Sequence, residues 1–394
     1  MPYRIKLLFV VEDMGGGVFT YIVDLTNGLV DKYDMYLAYT LRPQPPSDYK
    51  DYFDERIHLI EVKKFTRSVE SLKEIKAFFE IRKIADEVKP YIIPLHSSKA
   101  SALDGWTFNG KKFSLFYTPH GYCFLMKNHS AVKRYAFKMI KTVNRKWHCT
   151  TISSSEGEHQ ETRKFTKRAA YSENGINIEQ LNKLLSDITS ESDQPFTVFT
   201  LGHIWYQKTS MLFNDTAEAL SGIPFLWIED GEMRDELISP NIEITGWLDR
   251  KNALSRSVSA DVFLLTYLWV GLPISLLEAM YMKKSGVVND IIGNHNVIQS
   301  GESRYVCKEV SEFVEIIESV QDGKSSELVD AAYEDILHKY NKGVMAEEYS
   351  TIYDEALVKL GWDYILLAVY SSLIIRIQIT PWSATSAVHE KVVA

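Results

Sequence analysis

Short apolar runs alternate with longer amphipathic stretches along most of this chain. Runs at 5–11, 35–40, 57–62, 92–95, 113–118 and 150–155 predict strands in the first half. Runs at 196–201, 225–228, 242–246, 262–265 and 286–288 do so in the second. Most are continuously apolar rather than alternating, the pattern of parallel strands covered on both faces. Helical periodicity falls between them, at 19–29, 69–88, from 156 onward, 274–280, 311–320, 326–340 and 345–357. Strand and helix alternate in two successive sets, which predicts an α/β chain of two Rossmann-like domains facing a central cleft. We expect a first domain over 1–190 and a second over 195–345. The linker is expected at 186–194, where Ser, Asp and Glu dominate, shortly after the Asn174-Gly175 turn signal. A crossing helix and apolar segment are expected over 346–380, and a disordered tail over 381–394.

Composition narrows the class. A length of 394 residues fits two domains, and 45% hydrophobic content supports sizeable cores. A formal net charge of −8 argues against nucleic acid as partner. Cys123, Cys149 and Cys307 have neither metal-ligand nor paired spacing, so free thiols in a reducing compartment are expected. With no leader pattern and no long apolar span, a cytoplasmic protein is expected. One segment departs from the acidic whole. Residues 127–148 carry Lys133, Arg134, Lys138, Lys141 and Arg145 without any acidic residue, interleaved with aromatic and aliphatic positions. That mixture fits either an anionic membrane surface or a solvated basic face on a packed helix. The apolar run 364–375 is too short to span a bilayer; it is expected to pack on the first domain or lie on a membrane.

The candidate chemistry sits where strands end. The stretch 260–288 reads strand, loop, Gly271-Leu272-Pro273, helix, with Glu278 alone in an apolar helix and Gly286 as the expected C-cap before the next strand. A helix N-terminus there offers free amides to an anion, and Ser275 lies in its first turn. The alternative is an ordinary βαβ crossover with a paired core Glu. Gly15, Gly16 and Gly17 join the first strand to its helix, either as a ligand cradle or as a tight turn, and without dinucleotide or P-loop spacing. His96 and His120 stand at the C-terminal ends of strands, where open α/β sheets bind ligands, although a loop His held by backbone would look the same. Lys208 follows the first strand of the second half and by itself reads as a surface Lys at a helix start.

The run Gly271-Leu272-Pro273-Ile274-Ser275-Leu276-Leu277-Glu278-Ala279-Met280 resembles the nucleotide-sugar motif of family 4 of the retaining glycosyltransferases. Asn174-Gly175-Ile176-Asn177, Gly202-His203 followed by Lys208, Glu229-Asp230-Gly231 and the turn at 291–298 resemble further motifs, in the family's order. The resemblance spans 7–357 and implies the GT-B fold. It implies that Glu278 holds the donor ribose and that Lys208 binds the diphosphate. It further implies that His120 lies by the transferred sugar, with Gly16, Gly17, Leu272 and Pro273 near the donor. His96 is a candidate on the acceptor side. The chain departs from the family at Val270, where a second Glu is usual, and at His203, where Arg is usual. The implied activity is transfer of a sugar from a nucleotide diphosphate, UDP or GDP, to a saccharide acceptor with retention. An undecaprenyl-linked acceptor, peripheral attachment to the inner face of the plasma membrane, and a capsule or O-antigen pathway go with it. Neither metal nor cofactor is expected. Two alternatives stay open: a catalytically weakened homologue that binds another glycosyltransferase, and a nucleotide-sugar 2-epimerase on the same fold.

Overall fold

The structure, a computed structural model, describes residues 4–41, 48–62, 71–96, 108, 113–121, 149–188, 194–269, 271–291, 305–324 and 326–360. The first domain runs β1 (Lys6–Met14), α1 (Gly16–Leu29), β2 (Asp34–Leu41), β3 (His58–Glu61), α2 (Ser71–Val88), β4 (Ile92–His96) and β5 (Ser114–Tyr117). It continues with β6 (Thr150–Ser153), α3 (Glu156–Arg163) and β7 (Ala169–Tyr171), and α4 (Ile178–Ser186) follows. The second domain runs β8 (Val198–Leu201), α5 (Ser210–Ala219), β9 (Phe225–Ile228), β10 (Ile242–Ile244), α6 (Arg250–Val258) and β11 (Val262–Leu265). It ends with α7 (Ile274–Tyr281), β12 (Ser285–Asn289), β13 (Tyr305–Cys307), α8 (Val310–Gln321) and α9 (Ser326–His338). Helix α10 (Lys342–Leu360) follows.

The strands form two sheets, ordered β3-β2-β1-β4-β5-β6-β7 and β10-β9-β8-β11-β12-β13. Every pairing in both is parallel. Alternation along β1 shows why its sequence is apolar throughout. Leu7, Phe9 and Val11 join the core beneath α1 and α10, while Leu8 and Val10 join the core beneath α2. The second sheet repeats the plan: Phe263 and Leu265 face α7 and α9, and Val262 and Leu264 face α5 and α8. In each sheet the strand order reverses at one point, between β1 and β4 and between β8 and β11. Ligands of open parallel sheets bind at the carboxyl ends of the strands at such reversals.

Helix α10 leaves the second domain for the first. Its Met345, Ala346, Tyr349, Tyr353 and Leu357 sit in the same core as Phe9, Tyr21 and Tyr33. Gly28 of α1 permits the approach, since a Cβ there would lie 2.7 Å from that of Ala346.

Two local readings are corrected. Helix α1 begins at Gly16 rather than 19: Gly15 is its N-cap, and Gly16, at φ +52°, forms its first turn. The helix after Pro273 is not closed by Gly286, which lies inside β12. Lys283, at φ +56°, closes it with a Schellman turn; its amide donates to Met280, and the Lys284 amide donates to Ala279.

Candidate active site

At the first reversal, β4 delivers His96 and the loop after β5 delivers His120. Because β4 and β5 are hydrogen-bonded neighbours, their carboxyl ends lie side by side. His96 Nδ1 is 3.1 Å from His120 Nε2, and the rings stack at 5.3 Å. His96 is buried against Phe9, and Tyr21 packs edge-on against His120 at 4.7 Å. Burial lowers both imidazoles, His96 well below its ordinary range and His120 to about 4. Both rings are therefore neutral at physiological pH.

The His120-Gly121 turn is left-handed at both residues, φ +50° and +106°. Glu158, in the first turn of α3, braces it. Its Oε1 accepts the Gly121 amide at 3.0 Å, and its Oε2 accepts the Ser154 amide at 2.9 Å and hydroxyl at 3.0 Å. Ser155-Glu156-Gly157-Glu158 has the spacing of a capping box. Ser155 caps the Glu158 amide, but the Glu reaches Ser154 and Gly121 instead of the N-cap amide.

At the second reversal, β8 leads through Gly202 and His203 to Lys208. Lys208 Nζ donates to the Leu201 carbonyl at 2.9 Å and lies 5.2 Å from the centre of the Tyr267 ring. Gly202 has φ +126°, and a Cβ there would overlap the Lys208 ammonium. The Gln207 side chain donates to the Trp269 carbonyl at 2.6 Å, and the Thr266 hydroxyl to the Lys208 carbonyl at 2.7 Å. The loop after β8 is thus stitched to the segment that leads into α7. His203 pairs with Glu232 and packs against Trp247 at 5.1 Å.

The two reversals meet across the interdomain seam. A Cβ on Gly121 would touch Trp269 at 3.6 Å, and one on Gly271 would overlap the Ser154 hydroxyl. The Asn174 amide donates to the Leu272 carbonyl at 2.5 Å. Gly121, next to His120 in the first domain, and Gln207, next to Lys208 in the second, therefore converge on Trp269. The N-terminus of α7, beginning at Ile274 and including Ser275, carries no side-chain cap and leaves its first amides for an anion.

Glu278 is buried on α7 and pairs with Arg250 of α6 at 2.5 Å. Burial works against the Arg250 charge, but Glu278 outweighs it, with Asp24 adding, and its pKa is raised. Asp24 on α1, buried in the first domain, faces this pair across the seam; burial above all, with Glu278 adding, pushes its carboxyl up to about 7.

Sequence reading thus named His96, His120, Lys208, Gly271 and Glu278, which the fold gathers along one seam. Gly16 and Gly17 start α1 at the first reversal, where a Cβ on either would meet nothing within 4 Å. Glu158, Arg250 and Asp24 were missed, though the capping box marked Glu158 as a residue with a local partner. Lys133, Arg134, Lys138, Lys141 and Arg145, together with Val270, most of the turn at 291–298 and the apolar run 364–375, lie outside the described residues. Among the described residues no helix is long and apolar enough to cross a membrane.

Comparisons with known proteins assign the class. Residues 15–180 match the profile described as Glycosyltransferase Family 4, and residues 195–322 that described as Glycosyl transferases group 1. The solved structure of Anabaena HepE in complex with UDP aligns with a TM-score of 0.67 at 12% identity, over 89% of this chain and 100% of that one. Two doubly wound parallel-sheet domains of this kind are the GT-B fold. The chain belongs to glycosyltransferase family 4. Among curated relatives, an Escherichia coli UDP-Gal:alpha-D-GlcNAc-diphosphoundecaprenol alpha-1,3-galactosyltransferase is 24% identical over 70% of this chain and 77% of its own. An uncharacterized 41.2 kDa protein in the cps region of Klebsiella pneumoniae is 23% identical over 88% of this chain and 99% of its own.

Proposed function

We propose that this glycosyltransferase moves a hexosyl group from a uridine diphosphate sugar to a lipid-linked saccharide, with retention, during assembly of a bacterial surface polysaccharide. The observation that carries the reading is the convergence on Trp269 of the loops that hold His120 and Lys208, through their neighbours Gly121 and Gln207. One side supplies a neutral imidazole suited to sugar hydroxyls, the other an ammonium and a helix N-terminus suited to a diphosphate. The departing diphosphate develops charge, and Lys208 with the first amides of α7 would meet it without a metal ion. Glu278 would accept from the ribose hydroxyls through the oxygen that Arg250 leaves open. Uridine and a polyprenyl diphosphate acceptor are supported by what the Escherichia coli relative is named for, and a capsular pathway by the locus of the Klebsiella relative. The basic segment 127–148 would bring the protein to the anionic leaflet that carries such an acceptor.

The test is a melting-temperature screen with UDP, GDP and ADP, then transfer from UDP-galactose, UDP-glucose and UDP-N-acetylglucosamine to undecaprenyl-linked acceptors. Stabilisation by UDP that Lys208→Ala abolishes, transfer that survives EDTA, and retention in the anomeric proton signal are the expected results. A second reading, a binding partner without turnover, is favoured by the engagement of His203 with Glu232. It prevails if no nucleotide shifts the melting temperature.

A further inference from the structure

We infer that His96 is a positioning residue that fixes the tautomer of His120, making His120 a permanent hydrogen-bond donor through Nδ1. The inference rests on the reading of His120 as a ligand-contacting residue. It starts from a single short contact, His96 Nδ1 to His120 Nε2 at 3.1 Å. Between two neutral imidazoles one proton occupies that contact, and either ring can own it.

The far side of His96 decides the owner. His96 is 2% exposed, lies flat against Phe9 at 5.3 Å, and has Tyr21 at 5.7 Å. Its Nε2 is buried with no hydrogen-bond partner among the described residues. If Nε2 held the proton, a donor would be orphaned in the core. If Nε2 is bare, the core holds only an unsatisfied acceptor, the commoner and less costly fault. The proton therefore sits on Nδ1 of His96 and is donated to Nε2 of His120. A neutral His120 whose Nε2 accepts must carry its own hydrogen on Nδ1.

The surroundings hold both rings in that state. From α1 comes Tyr21, whose hydroxyl is bonded to Tyr349 of α10 at 2.5 Å. Tyr349 also meets Thr118 at 3.3 Å. From β1 comes Phe9, and from α3 the Glu158 carboxylate, which is committed to Gly121 and Ser154. No described carboxylate is hydrogen-bonded to either ring, so an imidazolium would go uncompensated. The consequence is chemical. With Nε2 taken up by His96 and the proton fixed on Nδ1, His120 has no lone pair free for abstracting a proton. It suits recognition of a sugar oxygen rather than proton transfer, and it does so at a constant strength across physiological pH.

The experiment is long-range proton–nitrogen correlation NMR on histidine-labelled full-length protein, between about pH 5.5 and 8, the window in which an ordinary His titrates. The expected wild-type spectrum has a pyrrole-like Nδ1 and a pyridine-like Nε2 for His120, unchanged across the range. A pyrrole-like Nε2 on His120, or titration near neutrality, overturns the inference, and neither readout depends on enzyme turnover. His96→Phe should release His120 to a tautomer mixture, and His96→Gln, which keeps a donor, should restore the single form. If transfer activity is found, His96→Phe should lose about ten-fold in kcat/KM, the scale of one misplaced hydrogen bond, and gain a pH dependence that His96→Gln lacks. A wild-type spectrum as expected in a protein that binds no nucleotide would leave the tautomer standing and remove the transferase reading alone.

Discussion

Arg250→Met offers the most demanding test of how the seam is held. Glu278 is 3% exposed at its side chain, and Arg250, at 28%, is its ion-pair partner at 2.5 Å. Removing the guanidinium strands a carboxylate with very little access to water, a fault worth about 3–5 kcal/mol. For a unit of this domain's size each kcal/mol moves the melting temperature by about 2–4 °C, so a fall of at least ~6 °C is expected. Glu278→Gln should cost less, about 1–3 kcal/mol, because Arg250 keeps a neutral acceptor and some access to solvent. The double variant Arg250→Met with Glu278→Leu replaces both charges with apolar groups and should return to within about 1 kcal/mol of the wild type. Urea unfolding followed by tryptophan fluorescence measures these proteins and the single variant Glu278→Leu, which closes the double-mutant cycle. Additive losses, with a coupling below about 0.5 kcal/mol, would refute the reasoning, as would an Arg250→Met protein as stable as its parent. The double variant also separates stability from binding: it should fold yet fail to gain stability from UDP, having no carboxylate for the ribose.

Other perturbations follow from the same contacts. Gly202→Ala combines a left-handed backbone with a Cβ in the space of the Lys208 ammonium; we expect about 1–2 kcal/mol of destabilisation and at least a ten-fold weaker UDP shift by calorimetry. Asp24 has a folded pKa of about 7 against an ordinary 3.8, so the native state holds the extra proton and loses stability as pH rises from 4 through 7. Asp24→Asn should therefore gain on the wild type over that window, measured as the difference in urea midpoint. His120 shifts the other way, to about 4 from 6.5, so the unfolded state binds the proton and stability falls as pH drops from 6.5 to 4. His120→Asn should flatten that acid limb.

The sheets were legible because parallel strands buried on both faces must be apolar throughout, and runs such as Val262–Leu265 carry no other message. Helix boundaries were less so. Three glycines read as a loop, yet a glycine adopts the left-handed conformation that begins α1, so the helix reached back to Gly16. The lysine that closes α7 could not be anticipated, because Lys has no preference for φ +56° and the turn is imposed by the return to β12. Candidate residues at strand ends were findable by position alone. Their partners were not: Glu158 is 37 residues from Gly121, Arg250 is 28 from Glu278, and only the strand order brings them together. The resemblance assigned Glu278 a ligand, whereas the fold first assigns it Arg250.

Helix α10 carries a consequence for synthesis. The first domain is made first, but its core includes Met345, Tyr349, Tyr353 and Leu357, which leave the ribosome 174 to 186 residues after Tyr171, the end of β7. Until then a nascent chain presents Tyr21, Leu25 and Tyr33 with that flank uncovered, and the second domain, whose sheet needs nothing from α10, can close ahead of it. The order of folding would then run opposite to the order of translation, with α10 acting as the latch that completes the earliest part of the protein.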